Sequence, residues 1–575
     1  MRKVLIVAVF AVAFLGMLAP PVFAQAPAPK VTITGLFDQV LSGGQNFYDG
    51  NYSRNGDREW YARTRFRPDF VFEVGRTKAV LGLELDADYG QTSTCGAGPG
   101  KAPFSCTGMH FGSTASAGLN TDVAGIVEIK WMYTEFDLTG KDSLMPFIPV
   151  GTVARAGLQA FGTLASYKVT YANGDFAGFS AVSTFAPNIK TNVTFVVVED
   201  ELAGTGGLTQ NRGVGAGARV TRGKDNAWIL SADITPFQGL DVKPLYSYFR
   251  ADGTTSGSAR RTATDRFVGG GASNAVLNGG GGSTTAAAAT YTGGGAVLGG
   301  GLYLNGDPFL HENRHTFGVD ARWRSGPWGF DPTVYYQVGN RHVQAAIAQS
   351  GGGAFVVGNQ ETFMNSWLLD GIGSWQSGPF LVEVRGIYST GNKATDNLSK
   401  RISYFEPLDM DSSYYAGWAN ILALGIDYFN GGGPTNNNMG TAIGYDRYGR
   451  IQLGLRGTYN YTPALAFYGV LSPTWTAQKV DTHTGQGVGT GTRTIIDDAS
   501  FAAKSDSEQS RYIGTEADLG MTWKFAPNTA FDLVGAWLFA GKALDTFEIP
   551  VVGAPAVRRK AEDAWTIASR IRLSF

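Results

Sequence analysis

The chain alternates apolar and polar residues with a period of two in many short segments. In Trp60–Val74, one set of alternate positions is mostly aromatic or aliphatic. The other set holds the charged residues of this segment, which are Arg63, Arg65, Arg67, Asp69 and Glu73. The next segment, Ala79–Tyr89, sets leucines and alanines against Glu84, Asp86 and Asp88. Because successive side chains of a β-strand point to opposite faces, each segment predicts a strand with one apolar and one polar face.

Such segments recur from Val31 to the last residue, and two kinds of connection separate them. Short turns rich in Gly, Pro or Asn alternate with long polar or glycine-rich stretches. These long stretches lie near 251–312, 341–361, 391–448 and 480–510. Among the predicted strand starts are Met145, Leu240, Trp328 and Phe380, and Met145–Gly162 is the least regular region. All the starts group into nine hairpin-like pairs, so we predict about 18 strands, within a range of 16 to 20. The glycine-rich run at 269–301 offers a linker between two domains as an alternative, although the strand pattern resumes on both sides of it.

This alternation also indicates the environment of the strands. Apolar residues make up 43% of the chain, yet no segment after the N-terminus approaches the ~18 consecutive apolar residues of a membrane helix. Alternation reconciles the two facts, because each strand shows half of its residues to an apolar phase. A membrane tolerates no open sheet edge, so we predict an all-β fold, a closed antiparallel transmembrane β-barrel. In barrels of this layout the short turns are periplasmic and the long loops are extracellular.

The N-terminus carries an export signal. Arg2 and Lys3 precede the apolar stretch Val4–Leu18, and small residues at the two positions that signal peptidase reads end at Ala24. We predict a signal peptide over residues 1–24 and a single barrel domain over residues 25–575. The alternative, a membrane anchor helix, is disfavoured because the apolar stretch is too short to span a bilayer comfortably.

The two cysteines of the chain, Cys95 and Cys106, lie in one Gly/Ser-rich segment between two predicted strands. In an oxidising compartment we expect them to form a disulfide that pins a loop. A metal site would need more ligands than the nearby His110, so we predict neither a metal nor a cofactor.

The two ends of the barrel carry a family resemblance. In Trp565–Phe575, apolar residues alternate with polar ones that include Arg570 and Arg572, and the last residue is aromatic. This resembles the C-terminal signal strand of Gram-negative outer-membrane proteins, which the barrel-assembly machinery reads. The opening Val31–Gly35, together with Asp38, resembles the first strand of general porins. The loops and strand count are similar to those of 18-stranded substrate-specific porins and alginate-export-like barrels.

The resemblance implies a location in the bacterial outer membrane and passive diffusion of solutes through the barrel. It also implies contact with outer-membrane lipid and lipopolysaccharide, and insertion by the barrel-assembly machinery through the strand that ends at Phe575. Porins of this type often form homotrimers, and the sequence identifies no interface for one. The resemblance does not identify a solute.

The polar faces predict the chemistry of the lumen. A turn that pairs Gly75 with Lys78 predicts three facing pairs on the inner wall: Arg67 with Asp86, Arg65 with Asp88, and Asp69 with Glu84. Closure brings the last strand beside the first, so that Arg570 and Arg572 flank Asp38. Arg63, Arg65 and Arg67 lie one strand beyond, which predicts a basic stripe along one wall. Further inward-facing candidates are Arg314, Asp320, Arg322, Arg324, Glu383, Arg385, Arg456, Glu516 and Asp518.

Two interpretations of these charges stay open. In one, the charges create a transverse field that orients and filters solutes. In the other, ion pairs brace and solvate the wall. The mixed signs give no firm selectivity, although the arginines near the seam favour a weak preference for anions.

Aromatic and apolar segments add two further hypotheses. Eight tryptophans near strand ends or on apolar faces predict interface girdles, and they are Trp60, Trp131, Trp323, Trp328, Trp375, Trp475, Trp523 and Trp537. The alternative is a sugar-stacking track along Tyr61, Tyr335 and Tyr468. Segment Tyr414–Phe429 is unusually apolar for an exposed loop. It predicts either a loop that folds into the lumen or an extra pair of wall strands.

Other functional classes are disfavoured. The chain has 47 basic and 48 acidic residues, so its charge balance does not point to nucleic acid. Its five histidines occur in no Gly-x-Ser-x-Gly, His-Glu-x-x-His or haem-attachment motif, and we predict no enzymatic activity. The sequence therefore favours a porin, a passive diffusion channel for small hydrophilic solutes or ions. The alternative is a structural or surface-array barrel without an open pore.

Overall fold

A computed structural model describes most of the chain. The described residues are 28–46, 58–89, 127–168, 170–172, 174–199, 225–252, 302–303, 311–349, 355–393, 401–408, 418–422, 448–480, 484–486, 493–495, 510–548 and 557–575. The predicted signal peptide and both cysteines, Cys95 and Cys106, lie outside them. The side chains of Arg63, Asp86 and Asp88 also lie outside the described part, although their backbones belong to strands. In the described part, no helix is long and apolar enough to cross a membrane.

Eighteen strands form the wall. They are β1 (Lys30–Gln45), β2 (Arg58–Val74), β3 (Thr77–Tyr89), β4 (Val127–Thr139), β5 (Gly151–Ala160), β6 (Asp175–Ala186), β7 (Ile189–Glu199), β8 (Asp225–Phe237), β9 (Leu240–Asp252), β10 (His311–Ser325), β11 (Trp328–Gln349), β12 (Phe355–Ser377), β13 (Phe380–Ser389), β14 (Arg450–Thr462), β15 (Leu465–Val480), β16 (Ser510–Ala526), β17 (Thr529–Ala540) and β18 (Ala564–Ser574). The remaining elements are short: strands Leu302–Tyr303 and Arg401–Ile402, hairpins Thr484–Gln486/Arg493–Ile495 and Thr546–Glu548/Val557–Arg559, and the 3-10 helix Lys542–Leu544.

The wall closes between its first and last strands. Each wall strand pairs antiparallel with the next, and β18 pairs antiparallel with β1 from Leu36↔Ser574 to Gln45↔Trp565. Two further backbone hydrogen bonds, of 2.9 and 3.0 Å, join Gly35 to Phe575. Closure leaves no open edge in the wall, as a membrane requires. The prediction of a closed antiparallel barrel of about 18 strands is therefore confirmed.

The two faces of the wall differ as the alternation predicts. Large apolar side chains stand exposed on the outside, for example Ile33, Leu41, Ile567 and Leu573, whereas polar side chains on the inside are buried. Six of the eight tryptophans predicted for girdles are exposed on the outer face: Trp60, Trp323, Trp328, Trp375, Trp523 and Trp537. Trp131 differs, because its indole N–H donates to the inward-facing Asp69 at 2.7 Å.

Three details of the predicted wall are wrong. The strand predicted to start near Met145, in the irregular region Met145–Gly162, begins at Gly151, since residues 140–150 form a turn. The connection predicted at 341–361 is much shorter, because β11 continues to Gln349 and β12 begins at Phe355. Extra wall strands within Tyr414–Phe429 are also wrong, since β13 pairs directly with β14.

The predicted register of β2 and β3 is wrong by two residues. Val74 pairs with Thr77 across the turn Gly75–Arg76, and Gly75 has a φ of 60°. The observed facing pairs are therefore Arg65 with Asp86, Arg63 with Asp88, and Asp69 with Gly82. Arg67 with Asp86, Arg65 with Asp88 and Asp69 with Glu84, which were predicted to face each other, are therefore not facing pairs of the backbone register. A shift by two residues keeps every side chain on its face, so Glu84 remains inside and now contacts Arg67.

Candidate functional site

Three stretches of the chain lie inside the barrel against its inner wall. Inner segment 1 consists of residues 161–168 and 170–172, which follow β5. Inner segment 2 (residues 401–408) and inner segment 3 (residues 418–422) both lie between β13 and β14. Only the third was indicated by the sequence, as part of Tyr414–Phe429. The first two were not predicted, because their contacts join residues far apart in the chain and leave no periodic pattern.

Inner segment 1 runs along the wall from β8 to β12. On β8 and β9, Ser231 Oγ donates to Leu164 O and Lys243 Nζ donates to Thr163 O, both at 2.6 Å. On β10, one carboxyl oxygen of Asp320 accepts the backbone N–H groups of Tyr167 and Lys168 at 2.6 and 2.9 Å. These bonds satisfy polar backbone groups of the loop with side chains of three strands. They hold the segment in one position across part of the lumen.

Inner segment 2 binds β10 and β11 through Glu406. Its carboxyl group contacts the buried guanidinium of Arg314. Its backbone exchanges two hydrogen bonds with the amide of Gln337, of 2.6 and 2.9 Å. Leu408 N–H donates to Tyr171 O of inner segment 1 at 2.8 Å. The first two inner segments therefore form one connected structure.

Inner segment 3 docks on a carboxyl pair of β16. Glu516 accepts three consecutive backbone N–H groups, from Asn420 and Ile421 at 2.6 Å and from Leu422 at 2.8 Å. The Asn420 amide donates to Asp518 at 2.7 Å. Both carboxyl groups are buried. The inward-folding hypothesis for Tyr414–Phe429 holds for residues 418–422, and the rest of that segment lies outside the described residues.

Apolar side chains fill the space between the inner segments and the wall. One cluster joins residues of the inner segments to apolar residues on the inner face of β6–β9, β11, β12 and β16–β18. Within it, Phe161 stacks on Phe176 at 4.4 Å, and Tyr335 stacks on Phe405 at 6.1 Å between ring centroids. Tyr335 is fully buried in this cluster, so its ring faces protein and offers no surface for a sugar. Part of the lumen is thus packed like a protein interior.

At the seam, acidic groups accompany the predicted arginines. Asp38 faces Arg572 in the register of β1 and β18, and its carboxylate lies 3.7 Å from the Arg570 guanidinium. Asp532 of β17 lies 3.3 Å from Arg570 and 3.0 Å from Arg572. Sequence analysis missed Asp532, although it alternates with Phe531 and Leu533 and its strand pairs with β18.

A second group surrounds Glu84 on β3. Arg65 contacts the Glu84 carboxylate at 2.7 Å, Arg67 also contacts it, and Lys130 lies 3.9 Å away. Lys130 also lies 3.3 Å from Asp175. Lys130 points inward because a bulge shifts the register of β3 and β4 between Gly82 and Leu83. Alternation alone does not locate a bulge, which explains why Lys130 was missed.

The other predicted arginines are also engaged. Arg324 contacts the carboxylate of Asp331, with Nη2 at 2.8 Å, and Arg456 contacts Glu383. Arg322 donates to Tyr167 O at 2.7 Å. On Asp370, Arg385 forms a bidentate pair with bonds of 2.9 and 2.7 Å. Because the described arginines of the predicted stripe lie beside carboxylates, the field of the stripe is largely compensated within the wall.

Lys168 brings a charge to the tip of inner segment 1. Its ammonium donates to the main-chain oxygens of Asp331 at 2.7 Å and Asp370 at 2.9 Å. The Asp370 carboxylate lies 3.7 Å away. Burial lowers the pKa of the Lys168 ammonium, while the charges of Asp370 and Asp320 oppose that shift. In the described part of the chain, no group of three or more His, Cys, Asp and Glu side chains is arranged to hold a metal ion.

Comparison with known proteins gives structural matches. No family model matches the sequence, and no curated protein matches it. Among solved structures, Pseudomonas aeruginosa OccK8 (OprE) aligns at 9% identity and a TM-score of 0.43, over 94% of this chain and 98% of its own. A BenF-like porin from Pseudomonas fluorescens Pf-5 aligns at 10% identity and 0.43, over 95% and 98%. Pseudomonas aeruginosa OccK5 (OpdH) aligns at 9% identity and 0.40, over 94% and 98%. The fold assignment rests on the strand pairings of the chain itself.

Proposed function

We propose that the chain forms an outer-membrane porin, a passive diffusion channel for small hydrophilic solutes or ions. One observation carries the proposal: the wall is a closed barrel of 18 strands with an apolar outer face and a polar, charged inner face. Barrels of about 16–18 strands enclose a lumen wide enough for an aqueous channel. The inner segments occupy part of that lumen, so they set the size of the opening.

Liposome swelling tests this proposal. Purified protein is reconstituted into liposomes, which are diluted into iso-osmotic solutions of neutral sugars of increasing size. We expect swelling with the small sugars and a size cut-off, because the inner segments narrow the lumen. Liposomes that do not swell with the smallest sugar would contradict the proposal.

The second candidate is a structural barrel without an open pore. The apolar cluster around Phe161, Tyr335 and Phe405 favours it, because a lumen packed with apolar side chains excludes water. The charged groups at Glu84 and at the seam favour the channel, since they lie on parts of the inner wall outside that cluster. The same swelling experiment separates the two candidates.

Within the channel proposal, a weak anion preference rests on Arg65, Arg67, Arg570 and Arg572. Their carboxylate partners reduce the expected effect, so we propose a small preference only. Reversal potentials in a salt gradient, for the wild type and for the triple variant with Arg63, Arg65 and Arg67 replaced by Ser, test it. We expect the variant to lose anion preference, and an unchanged reversal potential would refute the arginine filter.

The proposed partners follow from the outer face. The exposed aliphatic and aromatic side chains fit outer-membrane lipid, with lipopolysaccharide above the aromatic residues. The strand that ends at Phe575 would be read by the barrel-assembly machinery. Homotrimer formation is a further proposal, and the molecular mass of the protein in mild detergent tests it.

A further inference from the structure

The environment of the Lys168 ammonium resembles a coordination site for a monovalent cation. Two main-chain oxygens, of Asp331 and Asp370, lie 2.7 and 2.9 Å from Nζ, and a carboxylate oxygen of Asp370 lies 3.7 Å away. Main-chain carbonyl oxygens are the ligands that replace the hydration shell of alkali cations in selective channels. An ammonium group is itself a compact, strongly hydrated cation. Lys168 therefore places a covalently attached cation where a free monovalent cation would otherwise bind.

Both oxygens belong to strands of the wall, Asp331 to β11 and Asp370 to β12, and the pairing beside Asp331 is interrupted on one side. The pairing of β10 with β11 stops at Asp320↔Thr333 and resumes at Trp323↔Phe330. Asp331 lies in this gap, and the residue that follows it, Pro332, has no backbone N–H. Asp331 therefore has no pairing partner on β10, whereas on its other side it pairs with Ile372 of β12. The site is built into the wall, and the inner segment brings only the ammonium group.

Removing the Lys168 ammonium takes one positive charge from a site that is surrounded by carboxylates. Lys168 faces Asp320 on β10, Asp331 on β11 and Asp370 on β12, and all three carboxylates are acceptors in other contacts as well. Arg324 pairs with Asp331 and Arg385 pairs with Asp370. Arg322 is bound to the Tyr167 carbonyl. Asp320 accepts backbone N–H groups and the Thr333 hydroxyl, and it interacts with Lys168 and with Lys243, which forms an ion pair with Asp233 at 2.7 Å. Lys168 therefore supplies one of the positive charges that balance the carboxylates of this group.

We propose that Lys168 is a specificity-determining residue of the lumen, a tethered cation that occupies a monovalent-cation site on β11 and β12. Loss of its ammonium frees this site for K⁺ or Na⁺ and shifts the channel toward cation selectivity. The shift in selectivity rests on the proposed channel function, whereas the cation site does not. The two are tested by different measurements.

The cation site is tested without conduction. Lys168→Met removes the ammonium group and shortens the side chain by that one atom. A cation that binds the folded state alone raises the unfolding temperature. We expect the unfolding temperature of Lys168→Met to rise when choline chloride is replaced by KCl at equal ionic strength, with no such rise for the wild type. Equal responses of the two proteins would refute the cation site, whether or not the barrel conducts.

Selectivity is tested by reversal potential in a KCl gradient. We expect the permeability ratio of K⁺ to Cl⁻ to rise about threefold in Lys168→Met, since salt screening limits the field of one charge. The double variant Lys168→Met/Asp370→Asn restores the charge balance and should return most of the way to the wild type. Ser231→Ala is the matched control, because it removes an uncharged anchor of the same inner segment. An unchanged ratio in Lys168→Met, or an equal shift in Ser231→Ala, would overturn the selectivity role. A barrel without any conductance would refute the channel instead.

Discussion

The docking of inner segment 3 on Glu516 gives a prediction whose size can be worked out. Glu516→Ala removes the acceptor of three buried backbone N–H groups. Each group left unsatisfied costs about 1–3 kcal/mol. The three bonds share one acceptor and are not additive, so we take about 3 kcal/mol for the whole set. That energy lowers the ratio of docked to undocked segment about 100-fold.

Thiol accessibility measures this ratio directly. Leu422 is fully buried when the segment is docked. In a background with Cys95 and Cys106 replaced by Ser, Leu422→Cys reports undocking by its rate of reaction with a water-soluble maleimide. We expect that rate to rise about 100-fold when Glu516→Ala is added, if docking and undocking are fast.

The control variant is Glu135→Ala, which also removes an inward-facing glutamate of the wall. Glu135 contacts Arg155 and Lys78 and touches none of the three inner segments in the described contacts. Its removal should leave the maleimide rate unchanged. Equal rates in Glu516→Ala and the parent would refute the idea that the carboxyl group of Glu516 holds the segment.

Three further predictions concern the wall and the lumen. The double variant Arg65→Ser/Arg67→Ser leaves the buried Glu84 carboxylate with one cationic neighbour among the described contacts, Lys130 at 3.9 Å. It should therefore lower the free energy of unfolding in urea by about 3 kcal/mol. A decrease of less than about 1 kcal/mol would contradict the idea that these ion pairs brace the wall. Gly82→Val should cost about 1–3 kcal/mol by the same measurement, because its Cβ would overlap the Trp131 indole, whereas Gly535→Val has open space and should be nearly neutral. Burial lowers the pKa of Lys168, so its ammonium group should lose its proton, and with it its charge, at a lower pH than an ordinary lysine. The K⁺/Cl⁻ permeability ratio of the wild type should therefore rise as the pH becomes alkaline. A ratio that stays constant up to about pH 10.4, the ordinary lysine pKa, would contradict this.

Much of the wall could be predicted from alternation alone. The strands β9, β11 and β13 begin at Leu240, Trp328 and Phe380, as predicted, because each follows a turn marked by Gly or Pro and each buries one face. The register of β2 and β3 could not be predicted in the same way. A shift of two residues leaves every side chain on its face, so only the turn geometry at Gly75 distinguishes the two registers.

The interior was predictable only in part. The charges at Asp38, Arg570 and Arg572 follow from closure and alternation, because β18 lies beside β1. The contacts of Lys168 with Asp331 and Asp370 do not, because they join a loop to strands more than 160 residues away. Polar side chains such as Ser231 and Lys243 look alike in sequence whether they face water or an inner segment. The positions and contacts of the inner segments therefore follow from the structure and could not be predicted from the sequence.

Single-channel recording in planar lipid bilayers tests the central claim most directly. The purified full-length protein is added to one side of a bilayer in symmetric KCl, and the current is recorded over a range of voltages. We expect stepwise insertions with a discrete, nearly ohmic conductance, which becomes larger or noisier in Glu516→Ala as inner segment 3 undocks. Insertion of folded barrels, shown by heat-sensitive migration in gels, without any current would contradict it.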